Sequence, residues 1–181
     1  MKNLLLTSVL YVLTLVVLYL ALPYLTEPTT GILTFGPQRP AWFPTVLRIH
    51  IATGGIAMLA GLFLLAPVAR RRWPRAHRWV GAAYGVAVIV SGVSGLLVAP
   101  YSLAGWTSAS GFSVLALLWL GTTVLAIRAA INGRMAEHRR WVAYSLALTY
   151  ASITFRLMLL VFLATAVPFL TFYGYASWWC W

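Results

Sequence analysis

The chain has 181 residues, 62% of them hydrophobic and 8% charged, with a mean hydropathy of +0.88 and a formal net charge of +11. A soluble domain of this size cannot hide so much apolar surface, so the composition is that of an integral membrane protein. Glu27 and Glu137 are the only acids and aspartate is absent. This excludes paired-carboxylate catalysis, carboxylate-rich metal cages and the carboxylate proton relays of pumps.

The first apolar segment, "NLLLTSVLYVLTLVVLYLALPYL" (3–25), is too long for a signal-peptide core. No small-x-small cleavage site follows it, so it reads as an uncleaved first span. Further spans are expected at 46–68, 79–99, 109–131 and 141–166, each near the ~20 residues a bilayer requires. After Pro168 comes "FLTFYGYASWWCW", apolar and aromatic but too short to cross. It suits an interfacial anchor or the first half of a truncated sixth span. The expected fold is therefore all-α: a single transmembrane bundle over 1–181, with five spans and a partial sixth. The single cysteine, Cys180, excludes an internal disulfide, and no phosphate loop, nucleophile elbow or zinc spacing is present.

The positive charge would also suit nucleic acid, but its distribution points elsewhere. "ARRRWPRAHR" (69–78) holds five arginines, and 128–140 adds Arg128, Arg134, Arg139 and Arg140. With Lys2 they fall on one side of the bilayer, against Arg39 and Arg48 on the other. Basic short loops beside spans follow the positive-inside rule, so the partner is the lipid bilayer and no nucleic acid is expected. The rule puts the N-terminus and both arginine-rich loops in the cytoplasm, in the bacterial inner membrane. The 26–45 connection, with Pro28, Pro37, Pro40 and Pro44, becomes an external loop. "HRWV" (77–80) opens span three and "HRRWV" (138–142) opens span five, the mark of a possible two-helix duplication.

Alternating steps of four and three stay on one helix face. From His138 they reach Val142, Ser145, Thr149, Ser152 and Arg156, a mostly polar stripe that must face the bundle interior. His138 and Arg156 are eighteen residues apart, ~27 Å along the axis, so they share a face but not a depth. From His77 the steps reach Gly81, Tyr84, Val88, Ser91 and Gly95, with Gly85 and Gly92 alongside. Span two adds Gly54, Gly55 and Gly61. Such small residues serve either close helix packing or room for a flat ligand.

The ionisable residues form two layers. His77 and His138 sit at the inner ends of spans three and five. Two histidines at one depth, with glycines beside one of them, suit a bis-histidine haem b site. An interfacial histidine that binds headgroups or caps a loop is the plainer alternative. His50, Arg48 and Arg156 fall near one level in the outer half. A guanidinium inside hydrocarbon costs about 2.5–3.5 kcal/mol on insertion scales. Its partner must be a carbonyl, a hydroxyl, water or a bound anion.

The elements "RIHIATGGIAMLAGLFLL", "RAHRWVGAAYG" and "EHRRWVAYSLALTYASITFR" resemble a bacterial family of multi-span membrane proteins built on a domain of unknown function. The resemblance covers roughly 45–181 and rests on His50, on His77 with Arg78, and on His138, Trp141 and Arg156. It implies the multi-span fold, a sixth span beyond the aromatic run, and no known activity. A looser similarity, to transmembrane b-type cytochromes, lies in histidines within a helical bundle.

Three functions remain open. In an electron-transfer protein, His77 and His138, with Gly81 and Gly85 beside them, hold haem b and exchange electrons with a quinone or membrane redox partner. In a binding module or small transporter, His50, Arg48 and Arg156, with Thr149 and Ser152, hold an anionic or lipid ligand. In an accessory subunit, the glycine-rich and aromatic faces pack in a larger membrane complex. Hydrolytic catalysis lacks a nucleophile–base pair, which leaves open an enzyme acting on a lipid or quinone through His50 and Arg156.

Overall fold

The computed structural model describes residues 2–27 and 38–181, with no account of the side chains of 2–6, 67 and 70. The helices are α1 (Lys2–Thr26), α2 (Phe43–Leu65), α3 (Pro67–Arg72), α4 (Pro74–Val98), α5 (Gly105–Ile131), α6 (Met135–Thr149), α7 (Ala151–Phe162) and α8 (Phe169–Trp179), with a 3-10 turn at Ala99–Tyr101. Five segments are long and apolar enough to cross a bilayer: Thr7–Thr26, Phe43–Leu65, Pro74–Tyr101, Gly105–Ile131 and Met135–Phe162. The expected all-helical bundle of five spans is present, and no strand occurs among the described residues. The expected external loop is described only in part, since Pro28 and Pro37 lie outside the described residues.

The helices begin earlier than their apolar runs. Spans expected from 79 and 141 start at Pro74 and Met135, taking in Arg75, His77, Arg78 and the "EHRR" run. Hydropathy marks the hydrocarbon boundary, whereas helical hydrogen bonding continues through the headgroup region. Pro74 suits the first helical position because its missing N–H would have no partner there. The α5–α6 turn closes on Gly133 at φ 71°, with Arg134 N–H donating to Ala129 O at 2.9 Å and Gly133 N–H to Ala130 O at 3.1 Å. This Schellman pattern needs a left-handed residue, which glycine supplies without strain.

α2 packs most extensively on α4 and α5 on α6, while α4 also packs on α5 and α6 more lightly on α2. These four form a ring, with α4 and α6 at opposite corners. α1 lies outside it, against α2 and α7. The loops carrying most of the arginines lie at one end, called here the basic end; the 3-10 turn, the end of α7 and α8 lie at the other. Outward faces carry Val12, Leu15, Leu117 and Leu160, while Ser91, Thr123, Ser145 and Thr149 are buried. Apolar residues outside and small polar ones within is the pattern of a bundle solvated by lipid.

Span five is interrupted at Tyr150, between α6 and α7. Thr149 Oγ1 donates to Ser145 O at 2.8 Å, and Ile153 N–H reaches Tyr150 O at 2.9 Å, one residue short of the α spacing. Back-bonding of this kind loosens and bends a helix without proline. The aromatic C-terminal segment forms α8, a helix of 11 residues, ~16 Å long and too short to span. It docks on α5 and α7: Trp178 Nε1 donates to Thr107 O at 2.9 Å, and Tyr173 stacks edge-on with Phe112 and Phe155.

Candidate functional site

Polar side chains gather in three places, one in the middle of the bundle and one at each end. In the middle, Tyr84 of α4 reaches across the ring to α6. Its hydroxyl lies 2.6 Å from Ser145 Oγ and 2.7 Å from Thr149 Oγ1. From α5, Trp119 Nε1 donates to Thr149 Oγ1 at 2.9 Å, and Thr123 Oγ1 lies 2.6 Å from Ser145 Oγ. The network satisfies its own donors and sits among Ala57, Ala87, Val88 and Leu146. Thr149, expected as a ligand contact, has its hydroxyl engaged here. Ser152 Oγ likewise turns to Met58 Sδ at 3.4 Å and Thr149 O at 3.4 Å.

At the basic end, His77 and His138 are each the fourth residue of their helices, α4 and α6. Both therefore sit at the basic end, on helices at opposite corners of the ring. His138 Nδ1 lies 2.9 Å from Ala126 O on α5. A carbonyl only accepts, so Nδ1 carries the hydrogen and Nε2 is the free ring nitrogen. The glycine face beside His77 is partly covered: a methyl added at Gly85 would stand 3.0 Å from Ile127 Cδ1, while one at Gly81 would meet Leu64 Cδ2 only at 4.0 Å.

At the opposite end, α2, α7 and α8 bring a cationic group together. His50 Nδ1 donates to Ser91 O at 2.8 Å, and Ser91 Oγ returns a bond to His50 O at 3.0 Å. A methyl at Gly95 would stand 3.1 Å from the His50 ring, so this glycine lets the imidazole lie flat on α4. The clasp fixes the tautomer and leaves Nε2 without a hydrogen-bond partner among the described residues. The charge of Arg156 is within electrostatic reach of this ring and of the Tyr24 and Tyr173 side chains. Arg156 is half-buried, and its one hydrogen bond among the described residues runs from Nη1 to Ser152 O of its own helix, at 3.1 Å.

Arg48 takes a different route, with Nε on Tyr24 O at 3.3 Å. Arg39 completes the group: its guanidinium meets Tyr101 O at 3.4 Å and stacks 4.9 Å over the Phe43 ring. Tyr173 lies in reach of both Arg39 and Arg156. Burial pushes its phenol up to about 12, assisted by Tyr24 and opposed by the two arginines. It is therefore a neutral hydrogen-bonding group at any physiological pH.

The levels of His50 and Arg156 were legible from helix rise alone. Arg39, Tyr24, Tyr173 and the Ser91 clasp were not identified as site residues. Ser91 stood on the stripe from His77, but nothing in the sequence paired it with His50. Arg39 and Tyr173 come from a loop and a terminal segment without periodicity. No cluster of three or more metal-ligating side chains occurs among the described residues.

In comparisons with known proteins, residues 47–181 match the model of a family described as "Predicted membrane protein (DUF2306)". No curated protein and no solved structure matches the chain. The match covers most of the sequence and takes in His50, His77, His138 and Arg156, so the chain belongs to this family of predicted membrane proteins.

Proposed function

We propose that this family member is a membrane-embedded binding protein that holds an anionic group between Arg156, His50 and Tyr173, at the end of the bundle away from the arginine-rich loops. The observation that carries this reading is Arg156, half-buried in a span, whose one hydrogen-bond partner among the described residues is a carbonyl of its own helix. A guanidinium in that setting gains most from a phosphate or carboxylate, which supplies both charge and acceptors. The free Nε2 of His50 and the neutral phenol of Tyr173 add directional bonds. Arg39, stacked on Phe43, adds charge within reach of Tyr173. By the positive-inside rule the basic loops face the cytoplasm, so the site opens toward the outer leaflet of the inner membrane.

A titration of the purified protein tests this, with melting temperature as the readout. The ligands are inorganic phosphate, a single-chain alkyl phosphate, a fatty acid and a neutral alkyl glycoside as control. A site ligand at a hundredfold excess over its Kd stabilises by about 2.7 kcal/mol. At least one anion should raise the wild-type melting temperature and leave Arg156→Gln unmoved. A response to alkyl phosphate but not to inorganic phosphate assigns a lipid-like ligand. Flat curves for all three anions with the wild type contradict the reading.

His138 favours a second reading, electron transfer through haem b. An imidazole held by Nδ1–H on a carbonyl, with Nε2 free, is oriented as metal-ligating histidines are. His77 at the matching position across the ring supplies the other ligand, and haem brings one-electron chemistry when bound. Two imidazoles are the donor type this chemistry uses, and room for a flat group beside Gly85 requires Ile127 to change rotamer. Absorption spectra of protein expressed with ample haem, oxidised and dithionite-reduced, test it. A Soret band and sharp reduced bands that vanish in His138→Ala support it, and featureless spectra refute it.

A further inference from the structure

A groove of about 440 Å³ opens on the outside of the bundle at the basic end, between α1, α2 and the short α3. Its walls are Tyr11 and Leu15 of α1, Leu59, Leu62 and Phe63 of α2, and Val68, Ala69 and Trp73 at the mouth. The Tyr11 hydroxyl donates to Leu62 O at 3.4 Å, which ties the two long helices together along the floor. The lining is almost wholly apolar and faces lipid, so the groove accepts a hydrocarbon chain.

The mouth is charged. Arg72 follows Val68 by one helical turn, on the same face of α3. Arg71 and Arg75 flank Trp73, and all three arginines are exposed. Glu137, the one acid at this end of the bundle, is engaged elsewhere, in an ion pair of 3.2 Å with Arg134. An apolar groove lined by Val68 and Trp73, with arginines next to them in sequence that have no acidic partner among the described residues, complements one occupant: a phospholipid with an anionic headgroup.

We infer that this groove is a binding site for an anionic phospholipid of the leaflet at the basic end, acyl chain between α1 and α2, phosphate over Arg71, Arg72 and Arg75. It is independent of the Arg156 site at the other end. Trp73, half-exposed at the junction, sits where aromatic rings mark the headgroup boundary.

The test is lipid retention. The full-length protein is exchanged into detergent containing equimolar phosphatidylglycerol and phosphatidylcholine, re-purified, and its bound lipid quantified by mass spectrometry. The wild type should enrich phosphatidylglycerol. Each of Arg71→Gln, Arg72→Gln and Arg75→Gln should weaken that enrichment, roughly fivefold where the arginine meets the phosphate. Leu59→Trp fills the slot on a lipid-facing side and keeps every arginine, so it should lower retention of both lipids without altering insertion. Equal retention of the two lipids by the wild type overturns the inference, as does a Leu59→Trp variant that retains as much as the wild type.

Discussion

The hydroxyl of Tyr84 stands 2.6 Å from that of Ser145, on helices that face each other across the ring rather than side by side. Thr149, Trp119 and Thr123 complete the network, so one tyrosine ties three helices at mid-membrane. Removing that hydroxyl leaves Ser145 and Thr149 short of a partner in a buried site. Tyr84→Phe should lower unfolding stability by about 1–2 kcal/mol, in the upper range for hydrogen bonds inside membranes. A denaturant titration of the purified protein measures it, and an unchanged midpoint would remove the network from the list of stabilising contacts.

Helix packing is close enough for a single methyl to matter. A Cβ at Gly92 would stand 2.7 Å from both Cγ and Cδ2 of Leu120. Gly92→Ala should therefore destabilise by about 1–3 kcal/mol through overpacking, and Leu120→Ala in the same chain should recover part of the loss. Absence of that recovery in a double-mutant cycle would show that the clash is relieved elsewhere.

Cys180 is buried at the C-cap of α8, and burial pushes its thiol up to about 11 from 9.0. The thiolate is the reactive form, so maleimide labelling at pH 8 should be slow in the folded protein and complete after denaturation. Because the folded value is raised, the associated stability is full below about pH 9 and is lost as pH rises through about 11. Thermal melts across that range would show the fall.

The same thiol reports on α8. Trp178 Nε1 on Thr107 O, at 2.9 Å, is the shorter of two hydrogen bonds from the end of α8 to the start of α5; Ser177 Oγ reaches the same carbonyl at 3.5 Å. Trp178→Phe removes the donor and keeps most of the apolar area, so α8 should open more often. Cys180 labelling at pH 8 should then accelerate several-fold, by about the factor that ~1 kcal/mol implies. An unchanged rate would mean that the aromatic stack around Tyr173 and the Ser177 bond to Thr107 O hold the helix without it.

The spans were legible in the sequence because lipid imposes a long apolar run on any crossing helix. Their ends were not, since the helices from Pro74 and Met135 begin among charged residues where hydropathy is silent. The polar stripe from Ser145 to Arg156 was legible as inward-facing. Its division of labour was not: Thr149 bonds Tyr84 and Trp119, Ser152 turns to Met58, and Arg156 bonds back to Ser152 O. Which residues meet across helices depends on register between separate spans, and one helix's periodicity carries no information on that. His50 and Arg156 were matched by counting rise from opposite directions. Arg39 and Tyr173, on segments without a period, had to be seen in place.

The measurement that bears most directly on the central claim is mass spectrometry of what accompanies the protein out of the native membrane, wild type beside Arg156→Gln, with Arg128→Gln as a charge-matched control. Arg128 is exposed near the end of α5 at the basic end, away from the proposed site. The account predicts a phosphate- or carboxylate-bearing molecule near one per chain in the wild type and in Arg128→Gln, and its loss from a folded Arg156→Gln. The same molecule at the same occupancy in all three proteins would contradict it.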